Sequence, residues 1–256
     1  MSVLRASTMS PLFKARMGGF CWFMCFLTGI YPVMISGALI VAGDPAATAA
    51  NLLAHEGLYR FGTAGLLIST AFYLGATLFV YEVLKPVNRS LSLLAAFFSL
   101  VGCALGAFSC LFDLVPLVLL KDAPYLGVFT VDQRQALALM FLKVRLEANN
   151  LGLVFFGVHC LGVGYLIVRS TFLPRIIGAL MLIAGVCWIS FLMPAVQSLV
   201  PFAMMPGAIG EVSLALWLLI KGVNVQRWNA QAGKIGLVER SEPSTYTIIA
   251  RKKCVS

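Results

Sequence analysis

The sequence predicts an all-α integral membrane protein: a six-transmembrane-helix bundle with both termini cytoplasmic and short interfacial helices in the outer loops. Three observations carry that expectation. Of 256 residues, 60% are apolar and only 11% are charged, against about 25% charged in ordinary soluble domains, so there are too few charges to coat one water-soluble core. The charges are also missing from long runs of the length a bilayer requires. Finally, Lys and Arg concentrate in alternate connecting segments, as the positive-inside rule demands.

The runs set the elements in order. Met17–Gly43 is 27 residues without Asp, Glu, Lys or Arg, and Phe61–Tyr81 is 21. Ser90–Leu120 is 31 residues holding only Asp113, and Ala148–Val168 is 21 with His159 as its one titratable basic group. Ile176–Ile220 is 45 residues with only Glu211. A helix rising about 1.5 Å per residue needs about 20 residues to cross about 30 Å of hydrocarbon. The last run is about twice that length, and Pro194, Pro201, Pro206 and Gly207 supply a break within it. The expected spans are therefore 17–42, 58–82, 90–120, 148–168, 176–198 and 205–222, in one transmembrane domain over residues 1–223. Arg5, Lys14 and Arg16 before the first run resemble a signal n-region, but the run far exceeds the usual 7–15 apolar residues of a cleaved signal. A retained signal-anchor helix is expected. The β-alternation of an outer-membrane barrel is absent.

Orientation follows from the 19 basic residues. With the N-terminus inside, 14 fall in inner segments, and Arg60, Lys121, Arg134, Lys143 and Arg145 make 5 outside. The formal charge of +9 thus sits on the cytoplasmic face and is a topology signal, not a nucleic-acid footprint. The expected location is the bacterial inner membrane, with the lipid bilayer as partner. Two outer loops carry helix signals. Asp44-Pro45 has N-cap and first-turn chemistry, and Thr130 with Gln133 forms a capping box. The second segment either lies at the interface or extends the fourth span outward. Residues 224–256 read as a mobile basic tail.

Seven cysteines, an odd number scattered through apolar stretches, do not form a disulfide framework, and no zinc-site spacing occurs. No metal, cofactor, nucleophile motif or phosphate loop is indicated. Trp22, Trp188 and Trp217 read as packing and interface anchors.

Ionisable groups inside the membrane are costly and mark function by default. Asp113, His159 and Glu211 qualify. Counted along their spans, they lie about 10, 16 and 6 Å from the outer ends. Arg60 and Glu147 stand at the outer mouths of their spans, and Asp44 and Asn51 line the first outer loop. The candidate ligand-binding set is His159, Glu211, Arg60, Asp113, Asp44, Asn51 and Glu147, with Arg60 as the cation that pairs with an intramembrane carboxylate. In the inner half, Glu82 needs only a salt bridge to Lys85. Three functions remain open. One is binding or passage of a small polar ligand or proton through an outer-facing cavity. Another is a non-catalytic structural subunit whose polar residues, with small residues such as Gly102, Gly106, Gly157, Gly162 and Gly164, glue helices together. The third is an intramembrane enzyme using His159 with Glu211 or Asp113. No repeat relates residues 1–120 to 121–223, which counts against a transporter. Glycine-rich helix faces would also suit a homo-oligomer.

Four strings in order carry a family resemblance. They are Gly43-Asp44 through Asn51 with Tyr59-Arg60-Phe61-Gly62; Tyr81-Glu82 with Leu84-Lys85-Pro86-Val87-Asn88; Phe155-Phe156-Gly157, His159, Gly164-Tyr165-Leu166-Ile167 and Phe172-Leu173-Pro174-Arg175; and Gly210-Glu211 with Ser213 through Leu219 and Lys221-Gly222. Over about Lys14 to Val223 the chain resembles the bacterial multi-pass family called domain of unknown function 4386. The resemblance implies an α-helical membrane protein and no particular reaction. Its strings include Asp44, Asn51, Arg60, Glu82, His159 and Glu211 but not Asp113.

Overall fold

The computed structural model describes residues 9–121, 123–192 and 200–241, without side-chain detail at 36, 192, 200–204 and 234–241. Pro194 in the expected break, Asp122, and the far tail from residue 242 onward lie outside the described residues. Every regular element described is helical: α1 (Pro11–Leu39), α2 (Pro45–Ala54), α3 (Glu56–Leu84), α4 (Arg89–Ser109), α5 (Leu111–Leu120), α6 (Val131–Arg169), α7 (Arg175–Ile189), α8 (Val200–Ile220) and α9 (Val225–Ser241).

The local chemistry of the ends explains most boundaries. Asp44 caps α2 by accepting from the Ala47 N–H at 2.9 Å, with Pro45 supplying the fixed φ of the first turn. Asn88 caps α4 through the Leu91 N–H at 2.9 Å. Both halves of the Thr130–Gln133 capping box form, and the helix they start runs unbroken to Arg169. The outward-extension alternative is therefore the one realised, and α6 has 39 residues, about 58 Å. The expected third span is interrupted: α4 stops at Ser109 and α5 restarts at Leu111 with Asp113 in its first turn. Pro116, lacking an N–H, weakens the same stretch.

Four helical stretches are long and apolar enough to cross a membrane: α1, α3, α4 with α5, and α6. A fifth arises if Met205–Ile220 and Val225–Gly233 are taken together, although they meet at 101°. α7 is apolar but has 15 residues, about 22 Å, so length alone does not make it a span. The turn after α8 is set by Gly222 at φ +67°, whose N–H joins that of Lys221 on the Trp217 carbonyl. α9 occupies the start of the stretch expected to be a mobile tail. Its Trp228 explains the difference, because the indole N–H donates to the Val83 carbonyl at 2.9 Å and fixes the helix on the end of α3.

In the packing, α6 is central, with α7, α4 and α5 around it, while α1 lies along α3 and α8 bridges α7 to α1. α6 and α7 approach through glycine. A Cβ on Gly157 would stand 2.8 Å from the Gly185 carbonyl oxygen, and one on Gly164 2.8 Å from that of Gly178. Gly102 faces the Phe156 ring and Gly162 faces Ala95. Gly102, Gly157, Gly162 and Gly164 are thus packed within the chain, whereas nothing stands within 4 Å of a Cβ on Gly106. Large apolar side chains such as Phe61, Leu78, Phe97, Ile176 and Val186 point outward, as lipid solvent allows. At one end Glu82 accepts from Lys85 at 2.7 Å and also from Lys14 of α1 at 2.6 Å, so the expected local pair is joined by a second lysine.

Candidate functional site

Buried polar groups gather in two places. The first is built on Glu211 of α8, which is 6% exposed. Its Oε1 accepts from the Trp188 indole at 2.7 Å and the Cys160 thiol at 3.6 Å, and its Oε2 accepts from the Trp22 indole at 3.1 Å. Four helices, α1, α6, α7 and α8, therefore converge on one carboxylate through neutral donors. Trp22 and Trp188 are packed in the interior, as expected, and beyond that they are the hydrogen-bond partners that make this burial tolerable. His159 lies beside this network. Its Nδ1 donates to the Ala95 carbonyl at 2.9 Å, which fixes the proton on that nitrogen because a carbonyl can only accept. Its ring is 6.2 Å from Trp22 and 6.1 Å from Tyr73. No hydrogen bond joins His159 to Glu211 among the described residues.

The second place is built on Asp113 of α5, 2% exposed. Its Oδ1 accepts from the Tyr59 hydroxyl at 2.8 Å and lies 2.9 Å from Nε of Arg145. The Nε–H is not directed along a hydrogen bond, so this contact is charge against charge. The expected cation, Arg60, is elsewhere. It pairs at 2.8 Å with Glu56 one turn earlier on its own helix, and Lys121 meets the same Glu56 oxygen at 2.8 Å. The correction has a simple cause: Arg60 is exposed at the helix end, whereas the outward continuation of α6 carries Arg145 inward to face α5.

A cavity of ≈ 160 Å³ opens beside Arg145, between α3, α4 and α6, with Cys25 of α1 contributing. The outer-facing cavity that the sequence suggests would have Asp113, His159 and Glu211 on its walls; none of the three lines this one. Its α6 wall is Arg145, Asn149 and Phe156, spaced as one helix face. The α3 wall is Leu66, Ser69, Thr70 and Tyr73, and the α4 wall includes Gly102, Cys103 and Ser109. Thr70 and Ser109 already donate to the carbonyls of Leu66 and Gly106, and Ser69 to that of Cys25. Those hydroxyls can then only accept. Tyr73 is 8% exposed, and its hydroxyl has no hydrogen-bond partner. The donors that border the cavity are thus the Asn149 amide and the Arg145 guanidinium, with the unpartnered Tyr73 hydroxyl enclosed beside it. The cysteines along the wall do not converge: among the described residues no three His, Cys, Asp or Glu side chains stand close enough to hold a metal ion.

The remaining expected site residues have structural positions. Asp44 caps α2, and the Asn51 amide donates to the Leu39 carbonyl at 3.2 Å, tying α2 to the end of α1. Glu147 is exposed, two residues beyond Arg145 and so on the opposite side of α6. Sequence reasoning gave Arg145, Asn149 and Tyr73 no place in the candidate site. The available signal was the shared helix face of Arg145 and Asn149 just ahead of Gly152 and Phe156, which becomes visible once α6 is known to be continuous.

The sequence model of the domain of unknown function DUF4386 matches residues 17–222. A protein of Archaeoglobus fulgidus, described as an uncharacterized protein, is 27% identical over 143 residues, covering 56% of this chain and 72% of the relative. No solved structure matches the chain.

Proposed function

We propose, from the premise that this chain belongs to the DUF4386 family, that it binds a small amphipathic anion in the cleft between Arg145 and Tyr73. The observation that carries this reading is a cavity bordered by the Arg145 guanidinium and the Asn149 amide, with Tyr73, whose buried hydroxyl has no partner, among its lining side chains. Leaving such a hydroxyl unpaired costs about 1–3 kcal/mol, a deficit that a bound acceptor removes. An engineered apolar cavity of about 150 Å³ takes up benzene, so this space suits a ligand of about six to nine non-hydrogen atoms. Its donors call for an acceptor-rich group near Arg145 and Asn149, and Phe156, Leu66 and Gly102 call for an apolar body. A small monocarboxylate has that shape.

The protein is read as multi-pass in the bacterial inner membrane. Six spans follow if α7 and α8 each cross, and the 14-to-5 split of basic residues supports cytoplasmic termini. His159 and Glu211 are assigned to helix association, since their partners are fixed side chains and backbone. That same network favours a second reading, a non-catalytic structural subunit of a membrane complex.

Titration of the purified full chain with benzoate and shorter carboxylates, followed by calorimetry, tests the first reading. Tyr73→Phe should weaken binding about fivefold and Arg145→Gln, paired with Asp113→Asn to avoid an orphaned charge, at least about tenfold. No saturable binding by any member of the series, or equal binding by the variants, would move the assignment to the structural subunit.

A further inference from the structure

A second polar recess lies at the opposite end of the bundle. The turn between α6 and α7 and the side of α9 enclose a groove of ≈ 740 Å³ lined by Ser170, Thr171, Arg175, Arg227 and Gln231, with Leu173 and Ala230 as its apolar floor. It is a built feature. The Gln231 side-chain oxygen accepts from both the N–H and the hydroxyl of Thr171, at 3.1 and 3.0 Å, and Arg227 donates to the Thr171 carbonyl at 3.4 Å. Trp228 fixes α9 on α3. Among the described residues no carboxylate pairs with Arg175 or Arg227, and Glu82, whose side chain is described at this end, is taken by Lys14 and Lys85. Two guanidinium groups with donors only thus border one groove with no carboxylate against them among the described residues.

We propose that this groove holds the phosphodiester headgroup of an anionic phospholipid. The shared chemistry is phosphate recognition by an arginine pair, and two features select the lipid over a free phosphate. α9 turns 101° from α8, so with α8 along the bilayer normal it lies at the headgroup level, where basic recesses between helices take anionic lipid. Directly past Arg175, α7 presents Ile176, Ile183 and Val186 outward, each at least half exposed. They form a stripe along which an acyl chain continues from the headgroup.

The test uses the full chain in neutral detergent, with phosphatidylglycerol added and bound lipid counted by native mass spectrometry. Arg175→Gln with Arg227→Gln should weaken phosphatidylglycerol binding about tenfold or more, while Arg89→Gln with Arg16→Gln, an equal loss of two charges at the same end, should change it less than about twofold. If the Gln pair does not fold, Arg175→Lys with Arg227→Lys should still weaken binding, because lysine keeps the charge but not the planar fork. Equal losses in the Arg89 and Arg16 control, phosphatidylcholine binding as tightly, or no loss in either variant of Arg175 with Arg227 would overturn the proposal. Displacement of the lipid by inorganic phosphate in excess would assign the groove to free phosphate instead.

Discussion

Among the described residues two carboxylates are buried, Glu211 and Asp113, and their surroundings differ. Glu211 is met by two indoles and a thiol, all neutral, at the junction of four helices. Asp113 is met by a phenol and a guanidinium that borders a cavity. A carboxylate held by neutral, fixed donors on every side has no room for an outside partner and acts as a helix clamp. One balanced by an arginine with further donors in a cleft can share that arginine with a ligand. The contrast separates packing from recognition better than burial does, since both groups are almost fully enclosed.

The sharpest break of this comparison is Arg145→Ala. It leaves Asp113 buried with only Tyr59, and removing one partner of a buried pair destabilises by about 3–5 kcal/mol. Unfolding of the purified chain in detergent should show that loss, and Asp113→Asn in the same chain should recover at least half of it. An unchanged midpoint would mean that Asp113 is balanced from elsewhere. Next in size, Glu211→Leu strands the Trp22 and Trp188 N–H groups, at about 1–3 kcal/mol each, whereas Glu211→Gln keeps an acceptor oxygen and should lose about half as much. Tryptophan fluorescence reads the change directly. If Leu and Gln behave alike, the indole bonds contribute nothing.

Smaller effects test the frame around both clusters. Gly157→Ala sets a Cβ 2.7 Å from Ile189 and 2.8 Å from the Gly185 carbonyl, and overpacking of this kind costs about 1–3 kcal/mol. Asp44→Ala removes the α2 cap, for about 1 kcal/mol, seen as a lowered unfolding midpoint. Arg60→Ala should leave that midpoint where it is, because its partnership with Glu56 is an exposed pair one turn apart. A large effect at Arg60 would restore the role that the sequence suggested for it.

What was legible in the sequence was local or periodic. Asp44-Pro45, Thr130 with Gln133, and Glu82 with Lys85 each act within one turn, so spacing alone exposes them. The helical membrane class followed from runs of missing charge. The partners of the buried carboxylates were not legible, because Asp113 and Arg145 are 32 residues apart and Trp22 and Glu211 are 189 apart. Depth counting picked Arg60 as the cation, yet depth does not say which way a helix face turns. It also assigned Arg145 to a loop, which the continuity of α6 makes part of the bundle wall. Trp188 carried no mark to distinguish a donor to Glu211 from an interface anchor.

The length of α6 has a mechanical consequence. Glycine contacts lock its inner half against α7, and from Gly157 to its first residue, Val131, the helix runs 26 residues, about 39 Å. About that pivot it is a lever: a tilt of about 5° moves Arg145 by about 1.6 Å and the tip by about 3.4 Å. A shift too small to notice at the hinge is doubled between the cleft and the outermost turn, so a ligand beside Arg145 that tilted α6 would be felt most where α6 packs against α2.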